Sequence, residues 1–257
     1  CAYRTSRLPW YMWDASRRLQ QALTAAEAEI YVVRGLSWQV LAVARYCTGR
    51  GLRSVFWLAS DTDPVCHIPG KSRIPWWQRT MAHRGMQLSD AIVAQTNHQA
   101  ELMRQYQRRE SFVIRNVWPY EIAVRPHPVT PMVLWVANVR AVKRPEIALE
   151  IAKRVPDVQF VMVGGAVRKH ERYYDQIMQQ AKAIPNLTCT GFLPFVEADG
   201  LFEQATVFLN TSAVEGFPNT YLQAWSRGVP VVGSFDPDEA ICRHGLGVHF
   251  STVEEAV

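Results

Sequence analysis

Glu215, Gly216, Phe217, Pro218 and Asn219 stand in a row where a loop runs into a helical pattern, and few stretches of this chain bring so much chemistry together. The first backbone N–H groups of a helix have no intrahelical partner and point outward, which suits them to a phosphate or a sugar oxygen. Glu215, just ahead of them, adds a hydrogen-bond acceptor suited to hydroxyl groups. The competing reading is a helix-end partner worth only about 0.3–1 kcal/mol. A second polar group precedes Pro145, a residue suited to a first helical turn. There Arg140, Lys143 and Arg144 crowd a helix end that is already positive, an arrangement that makes sense once an anion joins them. A solvated basic loop is the alternative.

Two further stretches carry weaker signals. Asp61-Thr62-Asp63 is an Asp-x-Asp whose hard oxygens suit a divalent cation, yet such triplets arise by chance and a loop cap explains one equally well. Residues 70–87 interleave cations with Trp76, Trp77 and Met81, the composition of a helix lying on an anionic membrane. The rival is a helix with its tryptophans in the core and its cations in water.

These groups need elements to hold them. Short β-branched runs alternate with longer helical stretches throughout, the pattern of βα units around a parallel sheet. Strands are predicted over 29–33, 54–59, 91–95 and 111–115, and again over 132–137, 158–164, 187–191, 206–210 and 229–233. Helices are predicted over 36–49, 74–88 and 97–108 in the first series, with Thr96 or Asn97 as the cap of the last. In the second they fall over 145–154, 171–184, 196–204 and 219–227. Between the series lies a stretch with four prolines, residues 116–131, each removing a donor and fixing φ, so it reads as a linker. Two domains follow, over 1–128 and 129–257. In such sheets ligands collect outside the carboxyl ends of the strands. Arg140 with Lys143, Gly164-Gly165, Phe192-Leu193 and Glu215 all follow strands of the second series, so one sheet edge should gather them.

Composition sets the outer limits. The chain has 257 residues, 48% of them hydrophobic, enough for two cores, and it has no apolar run near the roughly 20 residues a membrane span needs. Residues 1–128 carry 17 Lys and Arg against 9 Asp and Glu, net +8, and residues 129–257 carry 11 against 14, net −3, so the two halves should meet different partners. Nucleic acid is not expected, because no binding motif accompanies the charge. Five scattered cysteines form no Cys-x-x-Cys pair, which fits a reducing cytoplasm better than a disulfide framework or a zinc site. The first residues and the final "STVEEAV" read as a chain cut at both ends.

Taken together the motifs resemble a known family. "EGFPNTYLQAWSRGVPVV", "VLWVANVRAVKRPEIALEIA", "VQFVMVGG" and "TGFLPFVEADGLFEQATVFLNTS" are similar to the donor domain of family 4 (group 1) glycosyltransferases. "SDAIVAQTNHQAELMRQY" with "VIRNVW" resembles the end of their acceptor domain. The resemblance implies an α/β fold of GT-B type, two Rossmann-like parallel-sheet domains facing a cleft, with the N-terminal, acceptor-side one incomplete. It implies a metal-independent, retaining glycosyltransferase that needs no cofactor. Such an enzyme moves a sugar from a nucleotide-diphosphate sugar, UDP- or GDP-linked, to a hydroxyl of a glycan or lipid-linked glycan in polysaccharide biosynthesis. The cysteine usage would place it in the cytoplasm, and the composition of 70–87 would put it in peripheral contact with the inner face of the membrane. By the same resemblance Glu215 binds donor-sugar hydroxyls, and the backbone of Gly216, Phe217, Pro218, Asn219 and Thr220 holds sugar and diphosphate. Lys143 meets the diphosphate, Gly164 and Gly165 let the chain approach the donor, Phe192 and Leu193 flank the base, and Asp61 faces the acceptor. Two positions depart from the pattern. Gln223 replaces the second glutamate, a ribose ligand, and Asn138 replaces a diphosphate arginine, with Arg140 nearby as its substitute. A nucleotide-sugar epimerase of the same fold and a non-catalytic nucleotide-sugar binding fragment are the alternatives.

Overall fold

The computed structural model describes residues 8–68, 74–119 and 130–257. The chain divides into two compact units, Cys1–Ile114 and Arg115–Val257. In the first, β1 (Ile30–Arg34), β2 (Arg53–Trp57), β3 (Ala91–Ala94) and β4 (Phe112–Val113) form a parallel sheet in chain order. Helices α2 (Gln39–Thr48), α3 (Trp76–Leu88) and α4 (Asn97–Leu102) fall within the helical stretches predicted between the strands. Thr96 is the cap of α4, its hydroxyl accepting the Gln99 N–H at 3.0 Å. The predicted helix over 97–108 changes character halfway, continuing from Met103 to Gln107 as a π turn and stopping at Arg108, whose φ of 53° is left-handed. The core gathers Val40, Phe56, Leu58, Met86, Ile92 and Met103. Ahead of β1 lies α1 (Leu8–Ala25), which the sequence reading leaves unassigned. It holds to the unit through Leu19 and Leu23 and through the Tyr31 hydroxyl, which donates to the Leu23 carbonyl at 2.6 Å.

The second unit alternates strand and helix without a break: β5 (Met132–Val136), α5 (Pro145–Arg154), β6 (Gln159–Val163), α6 (Glu171–Ala181), β7 (Leu187–Gly191), α7 (Phe195–Gly200), β8 (Val207–Asn210), α8 (Asn219–Trp225), β9 (Val231–Gly233), α9 (Ala240–Arg243), β10 (Gly247–His249) and α10 (Val253–Ala256). All its strands run parallel in the order β10-β9-β8-β5-β6-β7. Neighbouring strand residues point to opposite faces, and both faces are buried. Trp135, Phe160, Met162 and Leu209 pack with α5 and α6. Leu134, Val163, Phe208 and Val231 pack with Tyr221 and Ala224 of α8.

The division between units falls at Ile114/Arg115, ahead of the boundary expected at residue 129. Proline content marks where regular hydrogen bonding stops, not where the chain leaves a domain. Residues 116–119, expected as linker, belong to the second unit, with the Asn116 amide donating to the Phe217 carbonyl at 2.8 Å. The rest of the expected linker, 120–129, lies outside the described residues.

Candidate active site

Numbered from β5, the second sheet has the order 3-2-1-4-5-6, and its direction of winding reverses between β5 and β8. Crossovers leave those two strands toward opposite faces, so a crevice forms at their carboxyl ends. A cleft of about 350 Å³ lies there. Asn138, Arg140 and Lys143 line it from the segment after β5, Gly164 and Gly165 from β6, and Phe192 and Leu193 from β7. Asn210, Glu215, Pro218, Asn219 and Thr220 close the side beyond β8.

The structure separates the three cations that sequence leaves equivalent. Arg144 takes a left-handed φ of 45°, and its guanidinium donates to the carbonyls of Thr211 at 2.7 Å and Ser212 at 3.3 Å and to the Ser234 hydroxyl at 2.8 Å. It is a strut between the turn before α5 and the loop after β8. The Thr211 hydroxyl, which accepts the Trp135 indole N–H at 3.0 Å, donates to the Lys143 carbonyl at 2.6 Å and fastens the same turn. Lys143 and Arg140 remain at the cleft. The Lys143 ammonium pairs with the Glu215 carboxylate, each side chain 16% exposed. Arg140 has its Nε buried with no hydrogen-bond partner among the described residues, and a buried donor of that kind costs free energy until an acceptor meets it.

Glu215 also acts on its surroundings. Burial first, then the charges of Glu215 and Asp236, hold the Tyr221 hydroxyl far above its ordinary pKa, so it stays protonated and donates to the Phe235 carbonyl at 2.7 Å. The glycines on the cleft floor prove structural as well as permissive. A Cβ on Gly164 would lie 1.9 Å from the Ala137 carbonyl oxygen, and one on Gly165 would lie 2.9 Å from Cβ of Phe192. Phe192 stands at the rim, 75% exposed.

Not every expected site residue lines the cleft. Gly216 and Phe217 lie beneath the loop, the Phe217 ring meeting Trp225 edge-on at 6.3 Å. Gln223, expected at the ribose, is buried, and its amide donates to Asp199 at 2.7 Å. The other Asp199 oxygen takes the Arg227 guanidinium at 2.6 Å. A carboxylate this enclosed needs several donors, and Gln223 supplies one. Asp199, Arg227 and Asn116 are the contributors to this site that sequence reasoning passes over, and none carries a local signal beyond its charge or amide.

Asp61 belongs to the first unit. Its carboxylate accepts from the Gln99 amide at 3.0 Å and lies 4.0 Å from Nε2 of His98. Asp63 turns inward, accepting the backbone N–H groups of Ala59 at 2.7 Å and Ser60 at 3.2 Å, and burial pushes its carboxyl up to about 6. That is the loop cap, and among the described residues no group of three or more His, Cys, Asp or Glu stands where it could hold a metal ion. Residues 69–73 of the stretch 70–87 lie outside the described residues. In the remainder Trp76 is 71% exposed, Trp77 is half-buried, and Ala82, Gly85 and Met86 form the buried face. No described helix is long and apolar enough to cross a membrane, and four described cysteines, Cys47, Cys66, Cys189 and Cys242, are free.

A 3-2-1-4-5-6 parallel sheet with a cation-lined cleft at its switch point defines a Rossmann-like unit. Comparison with known proteins agrees. The family model described as "Glycosyl transferases group 1" matches residues 130–255. Over this second unit the chain is similar to the group 1 glycosyltransferases, the match covering just under half of its length, and its fold is GT-B. The alpha-monoglucosyldiacylglycerol synthase of Acholeplasma laidlawii is 28% identical over 114 residues, 44% of this chain and 28% of that protein. Among solved structures, a mutant of S. aureus TarM in complex with fondaparinux, alpha-GlcNAc-glycerol and UDP matches with TM-score 0.69 at 13% identity, over 88% of this chain and 46% of that one. Anabaena HepE in complex with UDP and glucose matches with TM-score 0.66 at 17% identity, over 85% of this chain and 62% of that one. The sucrose-phosphate synthase of Thermosynechococcus elongatus gives 0.67 at 14% identity, over 86% and 61%. The chain thus spans about a quarter of the curated relative and about half to three fifths of these structures.

Proposed function

We propose that the cleft of the second unit binds a nucleoside-diphosphate sugar and that the protein transfers the sugar, with retention at the anomeric carbon, to a hydroxyl of a glycan or lipid-linked glycan. The observation that carries this reading is the set of side chains at the switch point: Lys143 and Arg140 on one wall and Glu215 on the other. A diphosphate suits the two cations, and the Arg140 Nε gains an acceptor. Sugar hydroxyls suit the Glu215 carboxylate, which then exchanges part of its pairing with Lys143 for hydroxyl donors. Phe192 at the rim offers an apolar surface to a base. TarM and HepE, both solved with UDP, support a uridine nucleotide in preference to a guanine one.

In transfer, the C1–O bond lengthens toward an oxocarbenium ion while negative charge builds on the departing diphosphate. Lys143 and Arg140 stabilise that charge where it develops, so the reading calls for no divalent metal. The acceptor hydroxyl attacks the face the diphosphate leaves, and its proton passes to a departing phosphate oxygen. Asp61 is the acceptor-side candidate. Action on the cytoplasmic side, with Trp76 touching a membrane, is part of the same proposal and rests on that ring's exposure.

The experiment is a thermal-shift and turnover panel with UDP-, GDP- and ADP-sugars. A bound donor at 100 times its Kd stabilises the native state by about 2.7 kcal/mol, roughly 5–10 °C in melting temperature for a unit of this size. Lys143→Ala should remove most of that shift, and Glu215→Ala should abolish transfer while leaving the melting temperature of the free protein within a few degrees. Wild-type shifts retained in both variants would remove this cleft from the reaction. An epimerised donor instead of a transferred sugar would replace transferase by epimerase, and binding without any turnover would leave a binding module.

A further inference from the structure

Asn116 is far from the cleft in sequence and is not one of its lining residues, yet its amide reaches the loop that carries Glu215. Its Nδ2 lies 2.8 Å from the Phe217 carbonyl oxygen and 2.9 Å from Oδ1 of Asn219. The two contacts together determine the orientation of both amides. A backbone carbonyl can only accept, so the Asn116 atom facing Phe217 must be the NH2 group. The Asn219 atom facing that same nitrogen must then be its oxygen. Asn219 lines the cleft, and with its oxygen turned toward Asn116 its own NH2 group, which bonds to no described residue, is left for the cleft.

We propose that Asn116 is a positioning residue for the cleft ligand: it turns the Asn219 side chain so that an N–H donor, and not a carbonyl oxygen, meets the ligand's anionic oxygens. The inference rests on the reading of the cleft as a nucleoside-diphosphate site. Without Asn116 the Asn219 amide is free to rotate and present either end. The oxygen repels a phosphate, so the penalty falls on charged ligands and spares an uncharged nucleoside.

The test is calorimetric titration of the chain with UDP and with uridine, for wild type, Asn116→Ala, Asn116→Asp, Asn219→Ala and the double variant Asn116→Ala/Asn219→Ala. Asn116→Ala should weaken UDP about fivefold to tenfold and leave uridine within twofold. Asn116→Asp should weaken UDP further, since a carboxylate draws the Asn219 NH2 to itself and leaves the oxygen in the cleft. The double variant should bind UDP as weakly as Asn219→Ala alone, because Asn116 acts through Asn219. Equal UDP affinity in wild type and Asn116→Ala, or additive losses in the double variant, overturns the proposal. If wild type binds no nucleoside diphosphate, the reading of the cleft fails, and the proposal is then judged on the ligand-free wild-type protein. There the Asn116 and Asn219 side-chain amides should show a mutual nuclear Overhauser contact and slowed hydrogen exchange, and amides exchanging as freely as exposed ones overturn it.

Discussion

Asp63→Asn is expected to stabilise the first unit at neutral pH, and the structure supports the size of the gain. The Asp63 carboxylate is 4% exposed, and one of its oxygens accepts both the Ala59 and Ser60 N–H groups. Burial outweighs those bonds and the nearby Asp61 charge adds to it, so the carboxyl rises from 3.8 to about 6. A folded pKa above the unfolded one means that between those values the native state holds a proton the unfolded chain has released. Stability is therefore greatest below about pH 4, falls as pH rises toward 6, and stays reduced above it. At 1.36 kcal/mol per pKa unit the cost at pH 7 is on the order of 3 kcal/mol. Asparagine retains an oxygen for the two N–H groups and carries no charge, so it should recover about 1–3 kcal/mol at pH 7.5 and nothing at pH 4. Urea melts of wild type and variant at the two pH values, followed by a probe in the first unit, measure the difference. A variant less stable than wild type at pH 7.5, or equally displaced at both pH values, refutes the argument, because either result means that the charge is stabilised by its bonds.

Two other changes test the second unit. Gly164→Ala sets a Cβ 1.9 Å from the Ala137 carbonyl oxygen, where only backbone can give way. It should cost about 3 kcal/mol and weaken any cleft ligand, and a wild-type melting temperature would show that the floor of the cleft is not close-packed. Gln223→Glu restores an acid beside Asp199 at a site 7% exposed. Its pKa should be raised, so its stability penalty should grow from little at pH 4 to roughly 1–3 kcal/mol at pH 8, and a penalty independent of pH would mean that Arg227 neutralises both acids.

The strands and helices of the second unit were largely legible residue by residue. Helix 145–154 and strand 187–191 fall at their expected bounds, because Pro145 at a first turn and a β-branched run ending at Gly191 act within a few residues. The short β10 was not legible, since three residues carry no period, whereas α1 does carry apolar residues at helical spacing (Ala15, Leu19, Ala22, Leu23) that the sequence reading passed over. At the site, the basic loop, the glycine pair and the Glu215 segment were all visible as chemistry at strand ends. Which member of each set would face the cleft was not.

Alternating β-branched and helical runs determine, from sequence alone, that this chain builds parallel βα layers with its polar chemistry at one strand edge, because period, caps and turn residues act over roughly ten positions. Tertiary structure alone decided that Arg144 braces the loop while Arg140 and Lys143 face the cleft, that Gln223 serves Asp199, and that Asn116 orients Asn219. Those choices join residues 67, 24 and 103 positions apart. A buried donor or acceptor must be satisfied by whatever the fold brings within 3 Å of it, and that is set by packing, not by the order of the chain.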